Sequence, residues 1–183
     1  MLFKYETNRL IMKVLSPQDA GLILDFYNRD RELFEKYETS RLPDFYTLKH
    51  HQKLLKIEYD MTLKLQMVRF YVFEKSNPDK IIGTVCIHNI AQNFYRSCEI
   101  GYKFSSEYHH RGYAYEALRK CIDIAFYDLN LHRINAYVCK GNMPSLRLLS
   151  KLHFITEGLC RDYLILNGQW CDHYLLSLLD SDV

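Results

Sequence analysis

The chain lacks both a long apolar run and a strong net charge. No stretch of its 183 residues approaches the roughly twenty apolar residues of a membrane span, and residues 1–6 lack the apolar run of a signal peptide. The formal net charge is +2, without the dense basic face typical of nucleic-acid-binding proteins. We therefore expect a cytoplasmic protein that binds neither membranes nor nucleic acid.

Metal-binding patterns are also missing. The cysteines include no Cys-x-x-Cys pair and have no ligand-like spacing with histidine, so we expect free, buried thiols and no bound metal. The adjacent His50 and His51 have no acidic or cysteine partner close in sequence, which favours a solvated surface pair over a metal site. The cysteines are Cys86, Cys98, Cys121, Cys139, Cys160 and Cys171.

The hydrophobic pattern predicts a single domain, 1–183, of mixed α/β (α+β) class. A strand, a helix and a strand in succession favour a right-handed crossover with parallel strands, so the sheet should be mixed but mostly antiparallel. We expect about seven strands and about four flanking helices, with turns at 76–79 and at Asn167-Gly168. The predicted strands are 8–15, 66–74, 80–89, 97–104, 133–139, 154–166 and 169–179, and the main helices start near Ser16, Thr47, Arg111 and Asn142.

A phosphate site is predicted within residues 100–115, although the Walker and Gly-x-Gly-x-x-Gly motifs are absent. A strand runs here into a polar loop, and the loop opens a helix. The first N–H groups of a helix have no internal partner and lie at the positive end of the macrodipole. Gly112 lets a phosphate approach the backbone there, beside Arg111, His109 and His110.

This loop has the pattern of a known family. His109-x-x-Gly112-x-Ala114 resembles the Gln/Arg-x-x-Gly-x-Gly/Ala motif of the GNAT superfamily of N-acetyltransferases, whose loop amides hold the pyrophosphate of coenzyme A. Here His109 replaces the usual Gln or Arg, and His110 stands where a second glycine is common. Most donors of such a cradle are main-chain groups, so the cradle is expected to survive both replacements.

Two further stretches support the resemblance. Asn142-x-x-Ser145 and the later Lys151-Leu-His-Phe154 look like the family's second signature, with His153 in the usual glycine position. The opening Thr7-x-Arg9-Leu10 and the ending around Asn167-Gly168-x-Trp170 are similar to the RimJ/RimL-like branch, which acetylates protein N-termini and small amines. The resemblance therefore covers nearly the whole chain.

The resemblance implies a GNAT fold and transfer of an acetyl group from acetyl-CoA to an amine, by direct attack through a tetrahedral intermediate. Backbone amides of residues 104–106 would follow the pantetheine arm, and the loop before the helix would hold the phosphates. The residues implied to bind the cosubstrate are Phe104, Ser105, Ser106, His109, His110, Arg111, Gly112, Tyr113, Ala114, Asn142 and Ser145.

Two residues are candidates for proton transfer. Many family members use a tyrosine of the last helix as the acid, but that position is Leu149 here, and Ser145 is the substitute candidate. A small packing residue bonded to its own helix is the alternative for Ser145. Glu99 is the candidate base, with a solvated strand residue or an attractor of the cationic amine as alternatives. Weaker candidates are His88, Tyr163, Asp172 and His173.

The leading hypothesis is an N-acetyltransferase whose acceptor is a protein N-terminus or a small amine. A non-catalytic acyl-CoA-binding sensor is the alternative, and nucleotide binding by an unrelated fold is a third. The acceptor is not specified by any motif in the sequence, and the oligomeric state, a possible homodimer included, is equally open.

Overall fold

The structure is a computed structural model that describes residues 1–39 and 41–183. Five α-helices and eight strands are formed by these described residues. The strands are β1 (Lys4–Glu6), β2 (Leu10–Lys13), β3 (Val68–Glu74), β4 (Asn77–Ala91), β5 (Ser97–Phe104), β6 (Arg133–Cys139), β7 (Ile155–Leu166) and β8 (Gln169–Leu179). The helices are α1 (Ala20–Arg29), α2 (Arg31–Glu35), α3 (Leu48–Leu63), α4 (Tyr113–Asp123) and α5 (Met143–Lys151).

All eight strands join one sheet in the order β1-β2-β3-β4-β5-β6-β8-β7. Only β5 and β6 pair in parallel, and every other pair is antiparallel, which confirms the predicted mixed, mostly antiparallel sheet. The strand that the sequence did not indicate is β1. It has three residues, of which only Tyr5 is buried, and so short a segment shows no period.

Two predicted turns had different outcomes. The turn expected at 76–79 was placed too late, because Glu74 already pairs with Asn77 and Pro78 lies inside β4 beside a register shift. Proline is tolerated at such an irregularity because the ladder loses no hydrogen bond there. The hairpin at Asn167-Gly168 is confirmed, since both residues have the positive φ values, 51° and 77°, that a two-residue turn of this kind requires.

Helices cover both faces of the sheet. The α4 stripe predicted from its spacing is confirmed by the complete burial of Ala117, Leu118, Cys121 and Ile122 in the larger core, which α5 joins through Leu149. Burying a leucine side chain contributes about 1.5–3 kcal/mol. On the other face, α1 and α3 pack with β3 in a smaller core. No helix in the described part of the chain is long and apolar enough to cross a membrane.

The expectation of a solvated His50-His51 pair is wrong for His51. Its side chain is completely buried in the smaller core, with its ring stacked on Tyr27 at 5.5 Å and against the edge of Phe45. Burial lowers the pKa of His51 to about 4. The ring therefore packs as a neutral aromatic residue, which a two-residue sequence pattern does not reveal.

The position of the site follows from where β5 and β6 separate. Their parallel pairing is limited to residues 97–99 of β5 and 133–135 of β6. Beyond Glu99 and Asn135 the two strands diverge, and no strand in the described chain fills the space between them. The result is a cleft of about 1550 Å³, bordered by both strands, by the start of α4 and by α5.

Candidate active site

The wall of the cleft on the β5 side is made of backbone groups. The Ser105 N–H donates to the Ile82 carbonyl of β4 at 2.9 Å. Consecutive residues of an antiparallel strand direct their backbone groups alternately toward and away from the partner strand. Tyr102 therefore directs its N–H and C=O into the cleft, as do the Phe104 N–H and the Ile100 C=O. The Ile100 N–H instead belongs to the ladder with β6, and the Phe104 carbonyl is in contact with His109.

Two of the three amides expected along the pantetheine arm are already engaged within the chain. The Ser105 amide is bonded to β4, and the Ser106 amide donates to the Asp30 carboxylate at 3.2 Å, as does the Ser106 hydroxyl at 2.6 Å. The amide of Phe104 faces the cleft. An extended amide-bearing ligand would thus find its backbone partners at Phe104 and at earlier residues of β5.

The loop before α4 fits an anion such as a diphosphate. Gly112 is the N-cap of α4 with φ 79°, and no side chain caps the helix. The first amides of α4, from Tyr113 onward, are therefore open to a ligand. Arg111, beside this opening, adds a fixed positive charge. Of the residues predicted to hold the phosphates, His109 has its amide engaged by the Ser106 carbonyl at 3.1 Å, so the open amides lie later in the loop and at the start of α4.

The three histidines that replace common family residues each have a structural explanation. The Nε2 atom of His109 lies 2.9 Å from the carbonyl oxygen of Phe104, and this contact ties the loop to the end of β5. His110 has φ 61° and His153 has φ 68°. These left-handed values explain why glycine suits both positions, because they cost a residue with a Cβ about 1–2 kcal/mol.

Arg9 supports the loop from below, and its role was missing from the candidate residues. Its Nη1 donates to the carbonyl of Arg111 at 3.0 Å, and its Nε pairs with Glu116 at 2.7 Å. Its guanidinium lies 4.4 Å from the ring centre of Tyr113. A Cβ atom added at Gly112 would lie 3.4 Å from its Nη2. The Thr7-x-Arg9-Leu10 pattern was the only sequence signal for this contact.

A hydroxyl pair lies on the opposite wall. Asn142 caps α5 by accepting a hydrogen bond from the Ser145 amide at 3.3 Å, as its sequence position indicated. The Ser145 hydroxyl faces inward and lies 2.7 Å from the hydroxyl of Tyr102 on β5. Burial raises the pKa of Tyr102 to about 12. Leu149, at the position where many family members have a tyrosine, is completely buried. The tyrosine hydroxyl that contacts α5 is instead that of Tyr102, on strand β5.

Glu99 lies where β5 and β6 separate, with its side chain on the face opposite the larger core. Its carboxylate accepts a hydrogen bond from Asn89 Nδ2 at 2.9 Å and lies 3.9 Å from His88 Nδ1. Burial lowers the pKa of His88, which keeps the imidazole neutral near pH 7. The carboxylate is about a quarter exposed. It is therefore accessible to an amine and oriented by a neutral neighbour.

A partly buried lysine, Lys103, lies farther along the same face of β5. The Lys103 ammonium forms an ion pair with Glu38 and donates to the Tyr27 hydroxyl at 3.3 Å. Burial lowers the pKa of Lys103 to about 8. Between Lys103 and Glu99 stands Gly101, where the absence of a side chain leaves room in the cleft.

Three of the four weaker candidates lie in the final hairpin, and the fourth, His88, is the neighbour of Glu99 on β4. Asp172 accepts the Asp162 amide at 3.1 Å and so shapes the hairpin itself. His173 is 5% exposed, and its Nδ1 lies 3.0 Å from the carbonyl of Cys171. Tyr163 instead stacks on Tyr137 of β6, a cleft residue that the sequence did not single out.

Comparison with known proteins identifies the family to which a chain with this cleft belongs. The family described as Acetyltransferase (GNAT) domain matches residues 9–155. The probable N-acetyltransferase YjcK of Bacillus subtilis is 32% identical over 173 residues, which cover 94% of this chain and 95% of YjcK.

Solved structures agree with the sequence match. The ribosomal-protein-S5-alanine acetyltransferase of Vibrio fischeri superposes with a TM-score of 0.92 at 31% identity, covering 98% of this chain and 97% of that chain. RimJ of Mycobacterium smegmatis, solved in complex with CoA-disulfide, superposes with a TM-score of 0.89 at 25% identity, covering 95% of this chain and 83% of that chain. The chain therefore belongs to the GNAT family of N-acetyltransferases, in its RimJ/RimL-like branch.

Proposed function

We propose that the protein transfers the acetyl group of acetyl-CoA to a primary amine, either a protein N-terminus or a small-molecule amine. One observation carries this proposal: the gap that opens between β5 and β6 just beyond Glu99 extends to the uncapped start of α4. A nucleotide-linked thioester that spans this gap would have its phosphates at the helix and its reactive end near the carboxylate. The CoA complex of the RimJ relative supports the same choice of cosubstrate.

Main-chain groups would do most of the binding. The amides of residues 110–114 would hold the diphosphate at the start of α4, with the charge of Arg111 beside them. The backbone of Ile100, Tyr102 and Phe104 would pair with the pantetheine amides. Bound acetyl-CoA supplies the acetyl group as a thioester, and donors in the cleft would polarise its carbonyl.

Glu99 would act as the general base, directly or through one water. An aliphatic amine is mostly protonated near pH 7, so an acceptor must lose a proton before it can attack. The carboxylate is accessible, and its bond from Asn89 leaves the second carboxylate oxygen beside a neutral His88. Glu99 would therefore first attract the ammonium and then remove its proton.

Ser145 would act as the general acid, with Tyr102 as its proton source. The two hydroxyls are 2.7 Å apart, so the Ser145 hydroxyl is replenished as it gives its proton to the leaving sulfur. Because burial raises the pKa of Tyr102, this phenol carries its proton at the start of each cycle, and after passing it to Ser145 it would regain a proton from water. The pair would take the place of the tyrosine that many family members have at the position of Leu149.

A coupled assay tests this function. Purified protein is incubated with acetyl-CoA and a panel of N-terminal peptides and linear polyamines, and released CoA is measured with a thiol reagent. We expect release above background with at least one primary amine. Tight CoA binding without release for any acceptor would contradict the transferase proposal and support a non-catalytic acyl-CoA sensor.

We further propose that the protein works in the cytoplasm. All six cysteines are free, and Cys86, Cys98 and Cys121 are buried, which suits a reducing compartment. The homodimer left open by the sequence stays a prediction, which light scattering at micromolar concentration would decide.

A further inference from the structure

Two tyrosines from strands that do not pair with each other form a stack on the face of the sheet opposite the larger core. The rings of Tyr137 on β6 and Tyr163 on β7 are 4.4 Å apart and inclined by only 9°. Strand β8 runs between β6 and β7. The ring of His173, on β8, lies 5.1 Å from Tyr163 and completes an aromatic cluster.

An irregularity in β7 is what brings Tyr163 to this position. Cys160 pairs with His173 and Leu164 with Cys171, so three residues of β7 lie opposite one residue of β8. In a regular ladder Tyr163 would lie opposite Trp170, about 17 Å along β8 from the residue that pairs with Tyr137. Two features of Asp162 fix the bulge. Its φ is left-handed, at 48°, and its N–H donates a hydrogen bond to the Asp172 carboxylate. Bulges of this kind redirect a side chain.

The stack lies next to the Glu99 carboxylate. Glu99 and Asn135 are register partners, and Tyr137 follows Asn135 on the same face of β6. Both Glu99 and Tyr137 point away from the larger core, because their strand neighbours are buried in it. Gly101 leaves the adjoining space open. Tyr163 covers one face of the Tyr137 ring, and Tyr137 lines the cleft.

We infer that the Tyr137 ring and the Glu99 carboxylate together bind the acceptor as a protonated primary alkylamine. An ammonium is attracted to the face of an aromatic ring and to a carboxylate alike, and a site that offers both selects a cation over a neutral molecule of the same shape. Tyr163 is a positioning residue, because it acts by holding the Tyr137 ring. The inference rests on the proposed function and assigns its acceptor class.

Electrostatics agree with neutral rings in this wall. Burial, followed by the nearby charge of Glu99, raises the pKa of Tyr163 to about 12 and raises that of Tyr137 as well. Both phenols therefore stay uncharged at physiological pH and do not introduce a second anion. Alkylammonium acceptors are expected to bind well, and weakly basic arylamines, which are neutral near pH 7, to bind poorly.

The test measures binding without turnover. Saturation-transfer NMR on CoA-loaded protein compares n-butylammonium with n-butanol, its uncharged analogue, for the wild type and for Tyr137→Leu, Tyr163→Leu and Tyr163→Phe. We expect n-butylammonium to bind more tightly than n-butanol to the wild type and to Tyr163→Phe, which keeps the stack. Each leucine variant should lose about fivefold in n-butylammonium affinity and leave n-butanol unaffected.

Equal binding of the two probes by the wild type would overturn the inference. So would unchanged n-butylammonium affinity in Tyr137→Leu that still binds CoA. If a leucine variant fails to fold, Glu99→Gln takes its place, and it too should lose selectivity for the cation. Selective n-butylammonium binding by a protein that releases no CoA in the transfer assay would retain this inference while the proposed function fails.

Discussion

The hydroxyl of Tyr102 lies 2.7 Å from the hydroxyl of Ser145, although one residue belongs to strand β5 and the other to helix α5. The contact crosses the cleft from β5, which leads into the loop of the first family motif, to α5, which begins at the second motif, Asn142-x-x-Ser145. In the proposed mechanism it supplies a paired proton donor, in a chain that has the buried Leu149 at the position of the usual family tyrosine. This pair motivates the first prediction.

Tyr102→Phe should lower turnover about a hundredfold and leave CoA affinity within a factor of two, because general acid catalysis contributes on that order. Turnover is measured by CoA release and affinity by calorimetry. Ser145→Ala should have a similar effect, and the double variant should be little worse than either single one. Fully additive losses would show that the two hydroxyls act separately.

Glu99→Gln should lower turnover by about two orders of magnitude, since the amide keeps the shape of the side chain but accepts no proton. The matched control is Glu35→Gln, whose carboxylate accepts hydrogen bonds from Arg31 and Tyr46 and does not line the cleft. Steady-state kinetics at saturating acetyl-CoA compare the two variants. Equal turnover for Glu99→Gln and wild type would remove Glu99 from the proton transfer.

Arg9→Gln should weaken CoA binding about tenfold through loss of the contacts that hold the loop before α4, while turnover at saturating acetyl-CoA stays near the wild-type value. Arg31→Gln is the control, because Arg31 also pairs with a glutamate and lies over a tyrosine ring, 4.1 Å from the centre of Tyr46. Calorimetric titration with CoA measures both. A loss of the same size in Arg31→Gln would indicate a general effect on stability.

His153→Gly should raise the free energy of unfolding by about 0.5–1 kcal/mol, since His153 has a left-handed φ of 68° directly after the C-cap of α5. Urea denaturation at pH 7.5 provides the measurement. His50→Gly, within α3, should instead lower the free energy of unfolding by about 1 kcal/mol. A destabilised His153→Gly would contradict this account of the glycine position.

Acidification should destabilise the protein through His51. The pKa of His51 falls to about 4 in the folded chain, against about 6.5 when unfolded, so between these values only the unfolded chain takes up the proton. Stability is therefore lost as pH falls from 6.5 to 4, by about 1.4 kcal/mol per pH unit from this group. Urea denaturation at pH 7, 6 and 5 should show a steeper fall for wild type than for His51→Phe. Parallel curves would argue against a neutral buried His51.

Local patterns predicted much of this structure. The apolar stripe of α4, the N-cap Asn142 and the Asn167-Gly168 turn were readable because each depends on residues a few positions apart. The turn between β3 and β4 was misplaced, since a register shift moved Pro78 into a strand. His51 was misjudged because two adjacent histidines give no indication of which side of a helix is covered.

The sequence by itself determined the order of all strands after β1, the mixed sheet, the family and the glycine start of α4, because periodicity, capping residues and motif spacing are properties of neighbouring residues. Tertiary structure decided how far β5 and β6 separate, that Arg9 supports the Gly112 loop, that Tyr102 meets Ser145 and that a bulge places Tyr163 on Tyr137. Strand register and backbone bulges set these contacts between distant segments, and neither is encoded in a local pattern. The proposed anion site can therefore be found from the sequence, but the proposed catalytic and acceptor residues around it require the fold.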